Sequence, residues 1–240
     1  MRILLLGGTG EARALAARLH PDHDIVSSLA GRVPDPALPV GPVRIGGFGG
    51  VDGLRQWLRA NDIGAVVDAT HPFAATMTAH AAQVCAELGM PYLVLSRPAW
   101  DAAGAVRVAS DVDAADHIAE QGFSRVFLTT GRSGVRPFAG SDGWFLIRVV
   151  TPPDAEVLPR NHQVVLSRGP YGYDDECALL RDNRIDVLVT KNSGGALTEA
   201  KLAAARDLGV TVVMIDRPPL PADVTAVATV DDAVTWVASL

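Results

Sequence analysis

Three stretches of this sequence put conformationally permissive or polar residues where an apolar run gives way to a helical pattern. The first, Gly7-Gly8-Thr9-Gly10-Glu11-Ala12, directly follows the run Arg2 to Leu6. Glycine tolerates positive φ and lets a ligand approach the backbone closely. The first amides of a helix lack internal partners and carry about half a positive charge, so such a turn suits a diphosphate. The match to G-x-G-x-x-G is partial: counted from Gly8, the third small position falls on Arg13. Its place straight after the N-terminal strand favours phosphate binding by Gly8, Thr9 and Gly10 over a plain packing turn.

The second stretch, Ser27-Ser28-Leu29-Ala30-Gly31-Arg32, ends the next strand-like run. A site preferring NAD commonly carries Asp or Glu here to hold the ribose 2′-hydroxyl. Serines and an arginine stand in its place, and Ser28 with Arg32 would offer hydrogen bonds and charge to a 2′-phosphate. A dinucleotide bound here would be NADP(H). The third stretch is Asp68-Ala69-Thr70-His71-Pro72-Phe73. Pro72 suits a first helical position, and Thr70 or His71 suits a cap. In a dinucleotide fold this turn lies toward the nicotinamide ribose, which makes His71 a candidate for proton transfer, although a lone histidine more often serves structure.

Four polar strand ends follow in the second half. Lys191-Asn192-Ser193-Gly194-Gly195 lies between a buried strand and a helix, without the spacing of a Walker A loop. Its amides, Ser193 and the Lys191 ammonium form a polar nest for an anion or carbonyl. Arg132 lies in TTGRSG, Arg168 and Tyr171 in LSRGPYGYDDE, and Asp216 and Arg217 in VVMIDRPP. Together they call for a large polar substrate facing a nucleotide-binding lobe. Of 21 basic residues only Lys191 and Lys201 are lysines, which singles out the first of them inside this loop.

The elements that must position these residues are legible in the apolar patterning. Strand-like runs at 2–6, 24–28, 43–47, 65–69 and 92–96 alternate with helical patterns EARALAARL, GLRQWLRA and FAATMTAHAAQVCAEL. Short continuous apolar strands separated by helices predict a parallel sheet covered on both faces. The alternation breaks near 97–106 and then resumes, with a helix expected over 111–121, others near 173–182, 195–208 and 231–239, and strands at RVFLTT, WFLIRVV, QVVLS, DVLVT and VTVVMID. Residues 107–120 and 226–238 resemble each other, each a short strand leading into an Asp-rich helix start. The expected fold class is therefore α/β: two Rossmann-like lobes, 1–97 for NADP and 98–240 for substrate and cofactor contacts, with an interdomain cleft.

Composition bounds the function. The 240 residues, 48% hydrophobic, supply core for two such lobes. A net charge of −6 argues against nucleic acid as partner. No apolar run reaches the ~20 residues of a membrane span, and MRILLLGG is too short an apolar stretch for a signal peptide. Cys85 and Cys177 are isolated and read as buried thiols of a reducing cytoplasm, with no metal site and no disulfide framework.

Taken together, GGTGEARALA, SLAGR, DATHPFA, SRGPY and TKNSGG, in this order, resemble the precorrin-6A reductase family of cobalamin biosynthesis over essentially the whole chain. The resemblance implies an oxidoreductase that uses NADPH to reduce a ring D double bond of a corrinoid precursor, precorrin-6A, giving precorrin-6B. It implies that Gly8, Thr9 and Gly10 meet the pyrophosphate, that Ser28 and Arg32 hold the 2′-phosphate, and that Thr70, His71 and Pro72 border the nicotinamide. It further implies that Arg132, Arg168, Lys191, Asn192 and Ser193 meet substrate or cofactor. Hydride transfer to an electron-poor conjugated ring leaves the protein mainly the task of alignment, which offsets roughly 7–11 kcal/mol of a barrier. No residue stands out as the obligatory acid; His71, Lys191 and a bound water are candidates. Two other readings stay open: a tetrapyrrole lyase of the uroporphyrinogen III synthase type, and a non-catalytic NADP(H)-binding regulator. The expected molecule is a monomer or small homo-oligomer.

Overall fold

The computed structural model describes residues 1–31 and 36–240. The chain opens with β1 (Arg2–Leu6), α1 (Gly10–Leu19), β2 (Asp24–Leu29), β3 (Val43–Ile45), α2 (Gly50–Ala60), β4 (Ile63–Asp68), α3 (Ala75–Leu88) and β5 (Tyr92–Leu95). It continues through β6 (Val106–Val108), α4 (Asp111–Gln121), β7 (Arg125–Leu128), β8 (Trp144–Val149), β9 (Asn161–Leu166), α5 (Tyr173–Asp182), β10 (Val187–Lys191), α6 (Ala200–Asp207) and β11 (Thr211–Ile215). It ends with β12 (Thr225–Val227) and α7 (Val230–Ala238).

Among the described residues these strands form two six-stranded sheets, ordered β12-β5-β4-β1-β2-β3 and β6-β11-β10-β7-β8-β9. Every pairing is parallel. The apolar run of β1 shows why both faces are covered. Ile3 and Leu5 pack with Leu15 and Leu19 of α1 and with Ala233 and Val237 of α7. Leu4 and Leu6 face the other way, onto Leu54 and Leu58 of α2 and Ala81 and Val84 of α3. Alternate side chains thus serve opposite cores, and a strand with no polar face results. In the second sheet Phe127, Leu146, Leu188 and Met214 pack on Cys177 and Leu180 of α5 and Ala204 and Ala205 of α6.

The chain divides into two compact units, 1–98 with 218–240, and 99–217. The expected second domain, 98–240, is corrected at its C-terminal end. β12 pairs with β5, Ser96 N donates to Val227 O at 2.9 Å, and α7 packs on α1. The physical reason is the open edge of β5, which would otherwise present unpaired backbone groups. Conversely β6, which follows the break after β5, pairs with β11 in the other sheet. The two segments that resemble each other in sequence thus do the same job on opposite sheets. Each gives an outermost strand followed by a helix capped in the same manner, Ser110 accepting from Asp113 N and Thr229 from Asp232 N.

Candidate functional site

Register builds the first unit's site. The last residue of β1, Leu6, lies beside Ser28 of β2 on one side and Asp68 of β4 on the other. The three turns singled out in the sequence therefore leave three adjacent strands at the same carboxyl edge. Gly7 N donates to Ser28 O at 2.9 Å. The hydroxyl of Thr9 donates to Ala69 O at 2.7 Å and accepts from Ala12 N at 3.0 Å, capping α1. Its buried side chain thus joins two turns and is used up in doing so, so a ligand would meet the Thr9 backbone, not its hydroxyl.

What the turn leaves available is backbone. Among the described residues the amides of Gly8, Thr9, Gly10 and Glu11 donate to no acceptor, as expected at a helix start. Gly8 has φ +114°, and a Cβ built there would meet nothing within 4 Å, so no side chain covers the turn at that point. A Cβ at Gly7, by contrast, would touch Ala12 at 3.5 Å. Ala12 therefore takes the packing role of the third small residue that the sequence count had put on Arg13. The Glu11 carboxylate would repel an anion, but Arg97 Nη1 lies 2.7 Å from it and offsets the charge. The seat fits a diphosphate.

Beside it, Ser28 is buried and accepts a hydrogen bond from Arg44 Nη1 at 2.8 Å. Arg44, on β3, also donates to Gly46 O at 2.9 Å and to Gly47 O at 3.0 Å. Its guanidinium lies 3.9 Å over the Phe48 ring and 5.4 Å from that of Trp57. Burial lowers its pKa, and no acidic neighbour among the described residues opposes that shift. Arg32, the expected partner of Ser28, lies outside the described residues.

The third turn is held by Asp68, which is only 1% exposed. It accepts from Thr70 N at 3.0 Å, Thr70 Oγ1 at 2.6 Å, Thr78 Oγ1 at 2.7 Å and the Tyr92 hydroxyl at 3.0 Å. Burial and this carboxylate push the Tyr92 pKa well up, which keeps the phenol a donor. His71 is exposed, and its Nδ1 accepts from Phe73 N at 3.2 Å. The expectation that Pro72 opens a helix capped by Thr70 or His71 is corrected: α3 begins at Ala75 after Ala74, with no side-chain cap. Thr70 is instead spent on Asp68, because the buried carboxylate needs donors more than the helix needs an acceptor.

The second unit brings its polar strand ends together in another way. Lys191 Nζ lies 3.1 Å from Asp111 Oδ2 and donates to Thr130 O at 3.1 Å. The buried Asn192 accepts from Trp100 N at 2.8 Å and donates to Trp100 O at 3.3 Å. Arg217 Nε donates to Asn192 O at 2.7 Å, and Asp216 is bound by both ends of the Arg107 fork. Tyr171 stacks 3.7 Å from the Arg148 guanidinium, and Ser193 N donates to Lys191 O at 2.7 Å. Arg132 and Arg168 are exposed. Below Tyr171 lies a charged core invisible in the sequence: Arg148 paired with Glu176, both buried, and Lys201, 3% exposed, 4.2 Å over the Trp100 ring. Burial and the Arg148 charge push Lys201 down to about 7.

Fold and site together define a two-unit parallel α/β protein with a glycine-rich strand-to-helix turn after β1 whose first amides are unpartnered among the described residues. Comparison with known proteins gives the family. Residues 2–238 match the model of "Precorrin-6x reductase CbiJ/CobK", and the chain belongs to that family of reductases. It is 71% identical to the precorrin-6A reductase of Mycobacterium tuberculosis, over all of this chain and 98% of that protein. It is 54% identical to the precorrin-6A reductase of Rhodococcus erythropolis, again over all of this chain and 98% of the relative. The solved structure "CobK precorrin-6A reductase" superposes with a TM-score of 0.91 at 41% identity, covering 100% of this chain and 96% of that one.

One residue of the site, Arg44, escaped the sequence, and so did the role of a second, Asp68. Arg44 becomes visible only when β2 and β3 are set in register, Ser28 beside Arg44, across a long connection that gives no hint of it. Asp68 was in view as part of DATHPF, and an acid closing an apolar strand was the available signal that something there must satisfy it.

Proposed function

We propose that this chain reduces precorrin-6A to precorrin-6B with NADPH, at a ring D double bond, as a cytoplasmic step of cobalamin biosynthesis. The full-length identity of 71% to a precorrin-6A reductase is the observation that carries the reaction and substrate. The open amides at Gly8, Thr9, Gly10 and Glu11 support a dinucleotide as the reductant.

When bound, NADPH supplies a hydride to one carbon of the conjugated macrocycle. The residues of the chain bind, orient and finish the reaction. The turn amides take the diphosphate, and Thr9 and Asp68 fix the two turns on either side, so little reorganisation remains at the moment of transfer. Of the proposed proton donors, Lys191 is held by Asp111 and by the Thr130 carbonyl. His71 accepts at Nδ1 from Phe73 N, which leaves its proton on Nε2; neither residue is singled out as the donor over a bound water. On the second unit the exposed Arg132 and Arg168 suit the carboxylates of the substrate.

Titration of the purified protein with NADPH, followed by nicotinamide fluorescence, tests the reading when precorrin-6A is then added. The expected result is saturable binding, with NADPH consumed only when substrate is present. A lyase would give no saturable change, and a regulator would bind without consumption. Either outcome overturns the proposal.

A further inference from the structure

Arg44 poses a problem that the phosphate seat does not solve. A guanidinium on an edge strand ordinarily finds a carboxylate or projects into water. Here it is folded back onto Phe48 and Trp57 and bonded only to neutral oxygens, those of Ser28, Gly46 and Gly47. Its positive charge is therefore fixed in place, partly desolvated, and opposed by no acidic side chain among the described residues. Among the described residues the remaining donors of its planar fork have no acceptor. Ser28 accepts from Arg44 and so keeps its own hydroxyl hydrogen to donate.

Position gives this charge its meaning. Ser28 lies beside Leu6, the residue that leads into the glycine turn, and Gly7 N bonds Ser28 O. The strand following the first crossover of a dinucleotide fold ends where the adenosine ribose is read, and an acid there selects the 2′-hydroxyl. Among the described residues no acid stands at that end; a serine bound to a pre-oriented arginine does.

We propose that Arg44, with Ser28, is the residue pair that recognises the adenosine 2′-phosphate and sets the preference for NADPH over NADH. This inference rests on the reading of the glycine turn as a dinucleotide seat. An arginine fork held by neutral neighbours meets a dianionic phosphate without first breaking an ion pair, and the aromatic shelf beneath limits the entropy lost on binding.

Calorimetric titration with 2′,5′-ADP and with 5′-AMP, which differ by the 2′-phosphate, tests the assignment in wild type, Arg44→Gln and Arg44→Lys. Wild type should bind 2′,5′-ADP more tightly than 5′-AMP. Arg44→Gln should lose roughly 10- to 100-fold in affinity for 2′,5′-ADP with 5′-AMP unchanged. Arg44→Lys, which keeps charge and stem but not the fork, should retain part of the preference and covers the case in which the glutamine variant does not fold. If both variants keep the full wild-type preference, Arg44 does not read the phosphate, although the NADPH reading stands. An equal loss for both ligands would make Arg44 structural and overturn the assignment. Absence of preference in wild type would overturn the NADPH reading and this inference with it.

Discussion

At the end of β1 the chain turns through Gly7, Gly8 and Thr9 into a ten-residue helix; at the end of β7, which holds the same place in the other sheet, it turns through Thr129, Thr130 and Gly131 into two short 3-10 turns. The sheets are alike strand for strand, but the strand ends have diverged. In the first unit the turn keeps its amides open and its one acid, Glu11, is offset by Arg97. In the second the amides of Thr130, Gly131, Arg132 and Ser133 also donate to no acceptor among the described residues, but side chains crowd beside them: Lys191 reaches Asp111 and Thr130, and a Cβ at Gly134 would collide with Asp111 Oδ1. Topology makes a ligand edge available at the carboxyl ends of any such sheet. Side chains decide what that edge presents: an acid offset by Arg97 after β1, and the Lys191–Asp111 pair after β7.

The comparison breaks most visibly in the charged cores. Removing Glu176 leaves Arg148 and Lys201 buried without their counter-ion, and Glu176→Ala should cost about 3–5 kcal/mol in chemical denaturation. Glu11→Ala in the first unit removes a pair that solvent already reaches, and should cost about 1 kcal/mol or less. Equal costs would mean that the two ion pairs do the same work.

Matched glycine substitutions sharpen the contrast. Gly8 and Gly131 both have positive φ, +114° and +77°, and both have open space where a Cβ would stand. Each change to valine should strain the backbone by about 1–3 kcal/mol. Only Gly8→Val should also weaken NADPH, by on the order of 100-fold in a fluorescence titration. A similar loss from Gly131→Val would place the nucleotide on the wrong unit.

Smaller effects separate the two kinds of helix start. Thr9→Val loses both the cap of α1 and the bond to Ala69 O, and should cost about 1–2 kcal/mol in stability together with NADPH affinity. Ser110→Ala loses the cap of α4 and an exposed bond to Asp113, about 1 kcal/mol, with NADPH binding unchanged. The smallest expected effect is a pH dependence. Burial and Arg148 lower Lys201 to about 7, against Glu176 and Glu199, which favour its charge. Between that value and the ordinary lysine range the unfolded chain binds more protons than the folded one, so stability rises with pH there. Relative to Lys201→Met, wild type should gain about 1 kcal/mol between pH 7 and pH 8. A flat difference would mean that Lys201 stays charged throughout.

The parallel α/β class was legible because β1, β4, β7 and β10 are continuous apolar runs bounded by turn residues. The glycine turn was legible because glycine alone tolerates the conformation of Gly8. Three things were hidden for one reason, that they depend on which strands become neighbours. The return of 218–240 to the first sheet needed the pairing of β12 with β5. Arg44 needed the β2–β3 register. The inward use of Lys191 and Asn192 needed Asp111 and Trp100, distant in sequence, to lie beside them. Residue type suggested that these polar groups face a ligand; packing gave them partners within the chain.

The central claim is that the dinucleotide seat belongs to the turn after β1 and not to its counterpart after β7. Amide hydrogen exchange with and without NADP+ measures both turns in one experiment. The account predicts slowed exchange across residues 7–12 and none across residues 129–135. Slowing confined to 129–135, with 7–12 unchanged, would contradict it.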